Sequence, residues 1–147
     1  MTKSDFYSKQ EIDEVRKNLD KGFLVPIAVK GKSMSPMLKE GRDKIVLFKL
    51  FSEPSEGSIV LFKGQDENFY ISRVYKSGQS ECVLMNDCSF EKQTVKTVDC
   101  IAEVKSVERN GKKVKNPITS WYFSTMHIYM KDLLCDISSL FKFIKKK

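Results

Sequence analysis

Ser33 is the residue whose surroundings best suit covalent chemistry in this 147-residue chain. It stands in Gly31-Lys32-Ser33-Met34-Ser35-Pro36-Met37-Leu38, with Gly41-Arg42-Asp43 closing the stretch. The glycines permit positive φ or close backbone approach, while Pro36 fixes its own φ and biases Ser35 towards extended geometry. Such an ordered bend can present a serine hydroxyl and its backbone N–H at a strand end, as a nucleophile and its oxyanion donor require. A serine hydroxyl barely ionises at neutral pH, so a neutral base must take its proton. Lys30, Lys32 and Lys44 flank Ser33, where lysines usually point to solvent, and His127 is the only histidine. Cys82, Cys88, Cys100 and Cys135 form no Cys-x-x-Cys pair, so no metal site is expected and buried, reduced thiols are the default. No cofactor motif is visible.

The elements that would position Ser33 are mostly strands. A helix is expected over Ser8–Lys21, with Ile12, Val15 and Leu19 on one narrow stripe and Gly22 to end it, covering an edge rather than forming core. Phe23–Lys30 reads as a strand, with Pro26 suggesting an edge or a bulge. Strand-like runs follow at Lys44–Leu50, Ser58–Phe62, Phe69–Lys76, Glu81–Met85, Cys100–Glu108 and Lys112–Lys115, the last two joined by the hairpin signal Asn110-Gly111. Asn86–Lys96 reads as irregular and polar. About seven short strands without helices between them predict a mainly antiparallel β fold. From Ile118 the period becomes helical, through Tyr122, Met126, Tyr129, Leu133, Ile137, Leu140 and Ile144. The expected organisation is a β domain with an N-terminal helix over residues 1–115 and a basic amphipathic C-terminal helix over 116–147.

The order of motifs resembles the type I signal peptidase and LexA-like serine peptidase superfamily over roughly residues 23–108. Gly31, Ser33, Met34, Pro36, Leu38, Gly41 and Asp43 match its nucleophile box, with Arg42 inserted before the aspartate. Gly57-Ser58-Ile59-Val60 looks like its Gly-Asp-Ile-Val strand, Phe69–Val74 like the strand carrying the base, and Asn86-Asp87-Cys88 like its Gly-Asp-Asn turn. The resemblance implies Ser33 as nucleophile and oxyanion N–H. It also implies site-shaping roles for Gly31, Met34, Pro36, Arg73 and Asp87. The family's base, a lysine or histidine preceding Arg-Val, falls on Ser72, and a second hydroxyl cannot replace that base by itself. Lys76 shares the Ser72 face, but four residues at about 3.3 Å each place it roughly 13 Å away. Gly31 supplies no hydroxyl where some members carry a second oxyanion donor.

Three functions fit: an active serine endopeptidase acting on a peptide or precursor protein, an inactive peptidase-fold module that binds extended peptides by strand addition, or a basic adaptor. The formal charge is +7, and the residues from Glu108 onward, with nine lysines and arginines against Glu108, Asp132 and Asp136, carry +6 of it. The C-terminal helix can therefore pack on the β body, mediate a dimer, or meet an anionic membrane surface. No aromatic-and-basic nucleic-acid motif is present, so nucleic acid is not an expected partner. The start Met1-Thr2-Lys3-Ser4-Asp5 shows no signal-peptide pattern and no apolar run reaches about twenty residues, so a cytoplasmic protein is expected.

Overall fold

A computed structural model describes residues 6–35 and 37–114. Helix α1 spans Lys9–Asp20, and eight strands follow: β1 Val25–Ala28, β2 Asp43–Lys49, β3 Ile59–Lys63, β4 Phe69–Lys76, β5 Glu81–Met85, β6 Lys92–Lys96, β7 Cys100–Arg109 and β8 Lys112–Val114. The fold is mainly β and the strand pairings are antiparallel, in the order β1-β2-β7-β3-β4-β5-β6, with β8 paired to β7. The expected C-terminal helix over 116–147, with His127 and Cys135, lies outside the described residues. So does Pro36.

Helix α1 begins where Ser8 and Glu11 cap each other reciprocally, a capping box that satisfies two otherwise orphan N–H groups. Tyr7, just before the cap, and Ile12, in the fourth helical position, share one core cluster, which fixes the chain's entry into the helix. At the other end Gly22 takes φ +86°, a left-handed conformation that glycine adopts without side-chain strain. The narrow stripe proves to be core rather than edge cover: Ile12 and Leu19 are fully buried. Each contributes about 1.5–3 kcal/mol of burial relative to exposure. They pack with Val25, Ile45, Leu47, Ile59, Leu61, Phe69, Ile71, Ala102 and Val104.

Alternation along β3 and β4 sends a second set to the opposite face. Val60, Phe62 and Val74 join Cys82, Leu84 and Cys100 there. The sheet therefore carries two apolar layers, which explains why Ile59-Val60-Leu61-Phe62 is apolar throughout. Strand β1 is an edge strand and accepts Pro26 there, as the sequence suggests. It is shorter than the expected Phe23–Lys30, leaving Phe23 and Leu24 exposed. Strand β6 corrects the irregular reading of Asn86–Lys96. Lys92-Gln93-Thr94-Val95-Lys96 has one apolar residue, and pairing with β5 makes it a strand.

The sheet curls until β1 and β4 approach one another across Tyr7. The Tyr7 backbone exchanges two hydrogen bonds with Phe69 at the start of β4, at 2.8 and 3.1 Å. Its hydroxyl donates to the Ala28 carbonyl at the end of β1, at 2.6 Å. Ser33 lies just beyond that point.

Candidate functional site

Between β1 and β2 the chain makes two successive turns. The Ser35 N–H donates to the Lys32 carbonyl at 3.0 Å, so Ser33 and Met34 are the central residues of a β-turn. Gly31 precedes it at φ +82°. The Leu38 N–H then reaches the Met34 carbonyl at 2.8 Å. Met34 and Leu38 are buried in the main core, whereas Ser33 is half-buried. Apolar anchors beneath a polar turn tip hold the backbone while leaving Ser33 at the surface.

Asp43 anchors the far end of this stretch. Its carboxylate accepts from Arg109 Nε at 2.7 Å, from Arg42 Nη2 at 2.9 Å and from the Lys39 N–H at 2.9 Å. Both arginines also donate to the Met37 carbonyl. Arg42, extra to the family-like box, is thus part of the clamp on the loop. Burial alone would raise the Asp43 pKa, but hydrogen bonds from Arg109, Arg42 and Lys39 outweigh it and hold the group at about 2.

Strand β4 contributes Ser72 and Arg73, one to each face of the sheet. Ser72 is fully buried and pairs in register with Val60. Its hydroxyl donates to Asn86 Oδ1 at 3.0 Å. Arg73 is likewise fully buried and forms a bidentate pair with Asp87: Nε to Oδ1 at 2.8 Å and Nη2 to Oδ2 at 2.7 Å. Its Nη1 donates to the Gly57 carbonyl at 2.7 Å. Two neighbouring β4 residues therefore grip two neighbouring residues of the β5–β6 loop. That loop in turn holds the serine turn, because the Cys88 N–H donates to the Ser33 carbonyl at 3.0 Å.

Ser33, Ser72, Arg73 and Asp87 thus belong to one connected hydrogen-bonded neighbourhood, with Gly31 and Met34 shaping the turn. Asp87 is more than a turn residue: it is the counter-charge of a buried guanidinium. Lys76 is exposed, beyond an irregularity in the β4–β5 register after Val74. Lys30 is engaged with Glu11 at 2.5 Å. Lys44 is exposed on β2, and Lys32 is exposed at the cleft. Among the described residues, neither the Ser33 hydroxyl nor its N–H has a hydrogen-bond partner.

Ser33 opens onto a cleft of about 980 Å³. Phe62, Tyr70 and Ile71 supply its apolar wall, Asn86, Cys88, Gln93 and Thr94 its polar wall, and Lys32, Glu40, Asp66, Glu91 and Lys92 its charged margin. The Tyr70 hydroxyl donates to Asp66, and the Tyr70 ring lies 6.0 Å from that of Phe62. The cleft thus combines apolar, amide and hydroxyl groups within a charged margin. Cys88 is exposed at this cleft, contrary to the expectation of a buried thiol, whereas Cys82 and Cys100 are buried and burial pushes the Cys100 thiol up to about 12. Among the described residues no group of three or more potential ligands could hold a metal ion. None of their helices is long and apolar enough to cross a membrane.

Sequence reasoning places Asn86 only in a turn motif and misses its bond to Ser72, and it misses Gln93 and the Phe62–Tyr70 wall as parts of the site. Asn86 and Gln93 depend on the β5–β6 hairpin, whose second strand has no apolar alternation to announce it, and the wall depends on the β3–β4 register that pairs Phe62 with Tyr70. No family model matches the chain, and no curated protein matches its sequence.

Proposed function

We propose that this chain is a divergent member of the signal peptidase and LexA-like fold that holds an extended peptide across Ser33 without rapid turnover. One observation carries the reading: Ser33 lines a peptide-sized cleft and its hydroxyl and N–H have no partner among the described residues, while the position matching the family's base is a buried serine bonded to Asn86. A neutral hydroxyl is far too weakly basic to take the Ser33 proton by itself, whatever it donates to. The seven matching residues of the nucleophile box and the pairing of Arg73 with Asp87 support the family-like arrangement.

A second reading is favoured by the open Ser33 hydroxyl itself: an active serine endopeptidase whose base comes from beyond Val114, where His127 lies. Binding and cleavage of a fluorescent peptide array by wild type, Ser33→Ala and Ser72→Lys separates the two. The binding reading expects wild type to retain extended peptides without cutting them. It also expects Ser72→Lys to gain Ser33-dependent cleavage, since burial would hold a lysine neutral enough to act as base. Cleavage by wild type that Ser33→Ala abolishes would establish the enzyme instead. Absence of both binding and cleavage in all three proteins overturns the peptide reading. A peripheral contact of the basic C-terminal segment with anionic lipid is a separate proposal, tested by salt-sensitive sedimentation with vesicles.

A further inference from the structure

The segment Phe6-Tyr7 is arranged as a bound peptide would be. Tyr7 lies antiparallel to Phe69 and exchanges both backbone hydrogen bonds with it, the pattern by which an extended ligand adds to a sheet edge. Its ring is buried in the main core, 4% exposed. The hydroxyl bridges the end of β1, donating to the Ala28 carbonyl and accepting from the Lys30 N–H at 3.2 Å. Alternation explains why these two groups are open to it. Val29 turns inward to β2, where its N–H reaches the Asp43 carbonyl, so Ala28 and Lys30 present their backbone groups to the outer edge. A side-chain hydroxyl thus satisfies the donor and acceptor that a docking strand would use. The neighbouring Phe6 ring lies 6.3 Å from Tyr70, which belongs to the apolar wall of the cleft.

We infer that Phe6-Tyr7 is a built-in occupant of a peptide seat between β4 and β1, and that extended peptides carrying an aromatic side chain compete with it. This rests on the peptide-binding reading and adds to the Ser33 cleft a neighbouring seat, next to it through Phe6 and Tyr70, for a strand whose aromatic residue enters the core where Tyr7 now lies. Tyr7 is held to β4 by its two backbone hydrogen bonds and to β1 by its hydroxyl, with its ring buried between them. Exchange releases this segment from Phe69 and the Ala28–Lys30 edge and gives up the packing of Tyr7 in the core cluster that holds Ile12.

The probe is a labelled synthetic peptide of residues 2–10, Thr-Lys-Ser-Asp-Phe-Tyr-Ser-Lys-Gln, beside the same peptide with both aromatics replaced by alanine. Binding is read by fluorescence polarisation and by the shift in melting temperature on full-length wild type, Tyr7→Phe and Tyr7→Ala. Tyr7→Phe removes the bridge but keeps the ring, and loss of two hydrogen bonds from the closed state should tighten peptide binding roughly tenfold over wild type. Tyr7→Ala empties the ring site, so the aromatic peptide, and not its alanine version, should bind more tightly still and raise the melting temperature. Equal binding to wild type and Tyr7→Phe overturns the inference, as does failure of the peptide to bind Tyr7→Phe. Should Tyr7→Ala not fold, Tyr7→Phe decides alone. If wild type binds array peptides and Tyr7→Phe binds them no better, the Ser33 cleft reading stands while the built-in occupant falls.

Discussion

Replacing Asp87 by asparagine should destabilise the fold far more than a loop substitution ordinarily does. Arg73 is fully exposed to the consequence because it is fully shielded from water: its side chain has no solvent contact and Asp87 is its counter-charge. Asparagine keeps one acceptor oxygen, so one of the two short bonds can survive, but the guanidinium is left buried with no negative partner. Breaking a buried pair from one side typically costs about 3–5 kcal/mol, and retention of one hydrogen bond places Asp87→Asn near the lower figure, about 3 kcal/mol. For a chain of this size each kcal/mol lowers the melting temperature by about 2–4 °C, giving a fall of about 6–12 °C. Urea and thermal unfolding followed by circular dichroism measure it. The double variant Arg73→Met with Asp87→Leu removes both charges and should recover most of the loss, because the cost arises from the uncompensated charge rather than from the missing pair. Hydrogen exchange adds a local readout: the Cys88 N–H, which ties the loop to Ser33, should lose protection in Asp87→Asn. A single variant within about 1 kcal/mol of wild type, or a double variant no better than the single, would refute the reasoning.

Acid stability should depend on Asp43, since its folded pKa of about 2 lies below the ordinary value of 3.8. The stabilisation is complete above the ordinary value and is lost as pH falls through the folded one, so wild type should weaken between pH 4 and 2 while Asp43→Asn, weaker throughout, varies less across that window. Gly78→Ala should be destabilising by about 1–3 kcal/mol in urea unfolding. A Cβ at Gly78 would come within 2.5 Å of the Glu81 carbonyl oxygen, a backbone atom that moves only with the β4–β5 turn. Ser8→Ala should cost about 1 kcal/mol by loss of the capping box, read in the same unfolding assay.

The strands that the sequence reveals best are those with a face to bury. Ile45 and Leu47 alternate with polar or half-buried neighbours, and Ile59–Phe62 is apolar on both faces because two layers cover it. Helix α1 is legible from its stripe, yet its role as core is not, since periodicity reports which face is apolar and not how deeply it will sit. Strand β6 is illegible for the opposite reason: its residues are largely exposed and the partner β5 supplies its order. Within the site, Ser33 and Gly31 can be read from local chemistry. Asn86 can be read only as part of a turn motif, because its bond to Ser72 joins residues fourteen positions apart. Tyr7 carried one usable sign, an apolar residue immediately before a helix cap. That sign predicts packing against Ile12 but says nothing of the hydroxyl's bridge to β1.

Pairing of β2 with β7 imposes an order on synthesis. Asp43 and Arg109, which close that ladder by an ion pair, are 66 residues apart. At about 5–20 residues per second, a ribosome completes β7 roughly 3–12 seconds after β2. Until then Ile45 and Leu47 have β1 on one side and no partner strand on the other. A nascent chain thus exposes an apolar strand edge for seconds, long enough for association with other unfinished copies. Slower initiation or a holdase that covers Ile45–Leu47 should raise the folded yield.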